Sequence, residues 1–142
     1  MRQINVAVIG TGWCGGIRAE TCAAHPLVKS LHLAEVRPER LEEMSRKTNA
    51  YAATADYRKL LEVADIDAVF ISATPETTHY PMARDCLAAG KHVFLEKPMA
   101  LELSQADELI KAAKDAKLKF TIGYSQRFNP KFAFVRDRKS VV

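Results

Sequence analysis

Short apolar, β-branched runs alternate along this chain with stretches whose apolar residues recur at helical spacing, and the alternation continues to about position 123. Ile4-Asn5-Val6-Ala7-Val8-Ile9 predicts a strand, and residues 14 to 24 predict a helix that stops before His25-Pro26. Leu31 to Val36 predicts a second strand, after which Pro38 suits the first position of a helix turning Leu41 and Met44 inward. A short third strand near Tyr51 to Ala53 leads to a helix carrying Leu60 and Leu61. Ala68-Val69-Phe70-Ile71 reads as a parallel strand buried on both faces, followed by a helix that Pro81 begins and Gly90 ends. His92 to Leu95 predicts a fifth strand. Ser104 and Asp107 form a capping-box pattern for a helix bearing Leu109, Ile110 and Ala113, and Leu118 to Ile122 predicts a sixth strand. Beyond Gly123 the texture becomes that of a connecting segment, with a further helix over 131 to 139. Strands and helices in strict alternation predict an α/β fold, a doubly wound and mostly parallel sheet.

In such a sheet a ligand lies outside the carboxyl ends of the strands, which selects four segments. The first is Gly10-Thr11-Gly12-Trp13-Cys14-Gly15-Gly16, where Gly10, Gly12 and Gly15 have the spacing of a dinucleotide-binding loop. Gly10 serves the tight turn, Gly12 lets backbone approach a pyrophosphate, and Gly15 lets the helix pack close to the strand. The backbone amides of Thr11, Trp13 and Cys14, with the helix dipole behind them, then favour an anion. Glu35, 20 residues after Gly15, is placed to accept hydrogen bonds from the adenosine ribose hydroxyls. Its charge would repel a 2′-phosphate and so favours NAD over NADP, although the guanidinium of Arg37 offers such a phosphate a partner. The third segment is Ser72-Ala73-Thr74-Pro75, with His79 at the start of the next helix as a cap or packing residue. The fourth is Glu96-Lys97-Pro98: a partly buried lysine at a strand end beside the cofactor can exchange a proton with a carbonyl or hydroxyl, and Pro98 can fix its orientation through a cis bond.

Composition narrows the picture. At 142 residues, 48% hydrophobic and 27% charged, the chain suits one globular domain, and no apolar run approaches a membrane span. The opening apolar stretch ends in a glycine loop rather than a cleavage site, which points to the cytoplasm. The net charge of +4 resides wholly in Arg127, Lys131, Arg136, Arg138 and Lys139 against Asp137, since residues 1 to 126 are neutral. A short basic tail without a basic face argues against a nucleic-acid partner. Cys14, Cys22 and Cys86 lack CxxC spacing and suit free thiols, while the histidines at 25, 32, 79 and 92 lack the spacing of a metal site.

Val6 to Gly15, Glu35 to Arg40, Ala73-Thr74-Pro75 with His79, Ala89-Gly90-Lys91-His92-Val93 with Glu96-Lys97-Pro98, and Gly123-Tyr124 with Arg127-Phe128-Asn129-Pro130 resemble, in order, the glucose-fructose oxidoreductase and inositol dehydrogenase (Gfo/Idh/MocA) family. The resemblance implies a Rossmann-like cofactor domain over 1–123 of an NAD(P)-dependent oxidoreductase acting on a sugar or cyclitol hydroxyl. It implies that Lys97 is catalytic, that Arg127 belongs to the cofactor site, and that Glu35 stands where aspartate is the commoner ribose-binding acid. Family members continue into a second α+β domain carrying the catalytic histidine, the substrate pocket and usually the oligomer interface. In this chain that domain is expected to be absent or only begun, with 124–142 as the crossover. Two other readings stay open: a non-catalytic NAD(H)-binding module, and an NAD-dependent glycoside hydrolase of the same family.

Overall fold

The computed structural model describes residues 2–139, and its centre is a single six-stranded parallel sheet in the order β3-β2-β1-β4-β5-β6. The strands are β1 (Ile4–Ile9), β2 (Val28–Ala34), β3 (Ala52–Thr54), β4 (Ala68–Ile71), β5 (His92–Leu95) and β6 (Phe120–Ile122). Helices α1 (Trp13–Ala24), α2 (Pro38–Thr48), α3 (Arg58–Leu61), α4 (His79–Ala88), α5 (Leu103–Asp115) and α6 (Pro130–Lys139) connect and follow them. This is the doubly wound order in which the direction of winding reverses beside the first strand.

The alternation of side chains along β1 explains why both faces must be covered. Ala7 and Ile9 pack with Val69, Ile71, Val93 and Leu95 into a core that Ala83, Cys86 and Leu109 of α4 and α5 complete. Val6 and Val8 point the other way, to Leu31 and Leu33, and are sealed by Ala19 and Cys22 of α1 and Met44 of α2. Burial raises the thiol of Cys22 and pushes that of Cys86 up to about 12, so both behave as small apolar core residues.

Strands β4 and β5 have the predicted limits, and α6 covers the predicted final helix up to the last described residue. β2 begins earlier than expected, at Val28, and β6 later, at Phe120 rather than Leu118; three further differences have local reasons. The β2 ladder ends at Ala34, whose carbonyl accepts from Gly10 N–H, so Glu35 and Val36 lie beyond it. Pro81 is the third residue of α4, because the chain enters through a 3-10 turn over Glu76–Thr78. A proline is tolerated there, since first-turn N–H groups have no intrahelical acceptor anyway. The capping box at Ser104 does not form: Glu102, in extended backbone, is the N-cap of α5, which places Ser104 already inside the helix. Among the described residues no helix is long and apolar enough to cross a membrane, and no group of three or more metal-ligating side chains comes together.

Candidate functional site

The carboxyl ends of the strands open into one crevice of about 660 Å³. Its floor at the switch point is the turn from β1 into α1. Gly10 sits at φ +80°, against Ser72 and Ala73 backbone that would lie within 3 Å of any Cβ. A Cβ on Gly15 would run into the Gly10 carbonyl, so the helix can approach the strand only without one. Gly12 differs: a Cβ there meets nothing closer than the tip of Arg37 at 3.9 Å. Its missing side chain therefore keeps open space above the loop rather than satisfying internal packing. Gly12 is also the N-cap of α1, no side chain caps that helix, and its first turn holds no acid. The donors of Trp13 and Cys14 at the crevice wall, and the positive end of the helix, are thus available to an anion such as a pyrophosphate. The donor set fits a dinucleotide.

Glu35 anchors one end. It is only 5% exposed, and its carboxylate is held from two sides. Oε2 accepts from Thr11 N–H at 2.8 Å and Thr11 Oγ1 at 3.1 Å, while Oε1 accepts from Arg37 N–H at 3.2 Å and Arg37 Nε at 3.0 Å. Burial alone would raise this carboxyl, but the hydrogen bonds from Arg37 and Thr11 outweigh it and bring the pKa down to about 2. Because folding lowers the value from an ordinary 4.5, the resulting stabilisation is complete above about pH 5 and is lost as the pH falls toward 2. Allowing for solvent screening at the exposed Arg37, it is of order 2 kcal/mol. Urea unfolding of Glu35→Gln beside the parent chain is expected to show a stability gap that narrows steadily between pH 5 and pH 2.5; a gap independent of pH would contradict the assignment.

At the other end, the segments after β4 and β5 are fastened together by His79. The ring is buried and bridges two backbone carbonyls, Nε2 lying 3.0 Å from Ala73 O and Nδ1 2.7 Å from Pro98 O. The Thr74-Pro75 and Lys97-Pro98 bonds on either side are both cis. Lys97 lies on the crevice wall, but it is exposed, in contrast to the partial burial expected of it. Among the described residues no ion pair or hydrogen bond engages it.

Gly10, Gly12, Trp13, Cys14, Glu35, Arg37, Ser72, Ala73, Thr74, His79, Glu96 and Lys97 all line this crevice. Four expected residues do not. Thr11 is buried beneath it holding Glu35, and Gly15 is buried at the helix–strand contact. Pro75 shapes the turn without lining the cavity, and the exposed Arg127, in the 3-10 turn Ser125–Phe128, lies over the Tyr124 ring instead. Tyr57 and Met82 were missed. Tyr57 hydroxyl donates to Asp85 at 2.8 Å, and burial together with that bond pushes its pKa up to about 12. The rule that selected the other strand ends would have found it, had it also been applied after β3.

Comparison with known proteins identifies the fold and the family. The family model for the Gfo/Idh/MocA oxidoreductases, described as an oxidoreductase family with an NAD-binding Rossmann fold, matches residues 4–124. A myo-inositol 2-dehydrogenase of Thermotoga maritima is 32% identical over 134 residues, covering 94% of this chain and 40% of the relative. The solved structure of a probable dehydrogenase from Thermotoga maritima superposes with a TM-score of 0.89 at 31% identity, over 96% of this chain and 41% of that one. A scyllo-inositol dehydrogenase from Lactobacillus casei, solved with bound NAD(H) and scyllo-inositol, gives 0.88 at 28% identity, over 96% of this chain and 40% of that one. The chain thus spans about two fifths of the length of the curated relatives it matches. With a family model covering most of its length and a sheet in the corresponding order, this chain belongs to the Gfo/Idh/MocA oxidoreductase family, of which it carries the NAD-binding Rossmann fold.

Proposed function

We propose that the chain is the cofactor-binding part, residues 1–123, of an NAD-dependent dehydrogenase that oxidises a hydroxyl of a sugar, cyclitol or related compound, with 124–142 as the crossover segment. The observation that carries this reading is one crevice with a fixed carboxylate, Glu35, at one end and at the other the amine of Lys97, exposed and without a partner among the described residues. Bound there, the nicotinamide cofactor supplies a hydride acceptor. The chain's own residues do the rest. Amides of Gly12, Trp13 and Cys14 hold the pyrophosphate, and Glu35 accepts the adenosine ribose hydroxyls as the exposed Arg37 turns aside. His79 keeps the β4 and β5 turns in register, and Lys97 Nζ exchanges a proton with the reacting oxygen. A sensor that only bound NAD(H) would have no use for that amine. Inositol is bound by the Lactobacillus casei relative, which supports a polyhydroxylated substrate for the complete enzyme.

Trp13 is the only tryptophan and lines the crevice, so its emission reports binding directly. Titration is expected to give tighter binding of NAD than of NADP. Glu35→Ala should narrow that preference about tenfold, because the substitution removes both the ribose acceptor and the charge facing a 2′-phosphate. Equal affinity of the parent chain for both dinucleotides would remove Glu35 as the discriminator, and no binding of either would overturn the proposal.

A further inference from the structure

A second arginine–carboxylate pair lies at the far end of the crevice from Glu35. Arg18 leaves α1 and reaches across to the ends of two strands: Nη1 donates to Ser72 Oγ at 2.6 Å after β4, and Nη2 pairs with Glu96 Oε2 after β5. Its Cζ lies 4.9 Å above the Phe94 ring. The two charged side chains are 19% and 17% exposed. Gly123, just past β6, closes against them so tightly that a Cβ there would lie 3.0 Å from Arg18 Nη2 and 3.2 Å from Glu96 Oε2. Helix, two strand ends and a glycine thus fix the guanidinium in place. Ser72 and Glu96 both face the crevice, on the side of the switch point away from Glu35.

Resting on the reading above, in which Glu35 takes the adenosine end, the nicotinamide end falls to the β4–β5 side. The oxidised nicotinamide ring carries a positive charge and the reduced ring carries none. A carboxylate left alone on that wall would hold the cation selectively; one already matched by a guanidinium would not. We infer that Arg18 is a specificity-determining residue, which neutralises Glu96 and so sets the balance between oxidised and reduced cofactor. It acts through Glu96, and Lys97 next door keeps its amine free because the neighbouring carboxylate is already engaged.

The test compares NAD⁺, NADH and ADP-ribose, which lacks the nicotinamide, by titration of the present chain and its variants, with folding of each verified by circular dichroism. In Arg18→Met, affinity for ADP-ribose should stay within about twofold while the ratio Kd(NADH)/Kd(NAD⁺) rises roughly tenfold, the scale of one unmatched charge at short range. Glu96→Gln leaves the opposite charge and should move the ratio roughly tenfold the other way, so the inference remains testable if removing Arg18 unfolds the domain. Arg18→Met combined with Glu96→Gln should restore the parent ratio. A ratio unchanged in the single variants, or three ligands weakened alike, would overturn the role of Arg18 while leaving cofactor binding intact. A parent chain that bound none of the three would instead overturn the functional reading and this inference with it.

Discussion

Gly15→Ala is expected to cost the domain on the order of 4 kcal/mol and to abolish dinucleotide binding, although it adds a single methyl group. The carbon would collide with the Gly10 carbonyl and lie 3.1 Å from Ser72 Cβ, neither of which is the yielding end of a long side chain. To make room, α1 must move off β1, and with it go the amides proposed to hold the pyrophosphate and the Arg18 strap. Gly90→Ala is the matched control. Its φ of +73° carries a left-handed strain of roughly 1–2 kcal/mol, but nothing lies within 4 Å of the new carbon. Urea titrations of both variants at pH 7 measure the contrast; a Gly15→Ala chain as stable as Gly90→Ala would mean that the helix–strand contact is less tight than described.

Lys97→Met, placed in a full-length enzyme containing this chain, is expected to lower kcat by ~10²-fold or more while leaving NADH affinity within a few-fold. The lysine is exposed and engages no ion pair or hydrogen bond among the described residues, so its removal deprives the fold of little. A group that only supported the turn would produce the reverse pattern, a change of about 1 kcal/mol in stability or affinity with turnover nearly intact. Steady-state rates and NADH titration on the same protein separate the two outcomes, and near-normal turnover would end the catalytic assignment.

The alternation of strands and helices was legible in the sequence because β4 is apolar at every position and β1 at every position but Asn5, and the turn between β1 and α1 was legible because Gly10 and Gly15 each answer a steric demand there. Glu35 was found by its interval from the glycine loop. What the interval could not convey is that Thr11 and Arg37 occupy both oxygens, since side-chain pairing depends on where the β2 ladder stops. Ser104 misled for a related reason: its spacing to Asp107 satisfies a local rule, but the helix starts at Leu103, where the extended Glu102 leaves off. Arg127 lay in a segment that has no strand end to fix its direction. Lys91 sits in the motif string beside Lys97 yet does a different job, buried with Nζ on the carbonyls of Val63 and Ala64. The strand-end rule separates the two, since Lys91 precedes β5 and Lys97 follows it.

The register of β1 bears on how the crevice comes into being. Pairing with β2 joins neighbouring segments, whereas pairing with β4 brings Val6 beside Ala68, and at its lower edge the Asn5 N–H bonds the Asp67 carboxylate 62 residues away. Closing so long a loop is the slow step for a parallel sheet. The Glu35 end of the crevice thus rests on the pairing of sequence neighbours, while Ser72, Glu96 and Lys97 join it only through the long-range pairing of β4 with β1.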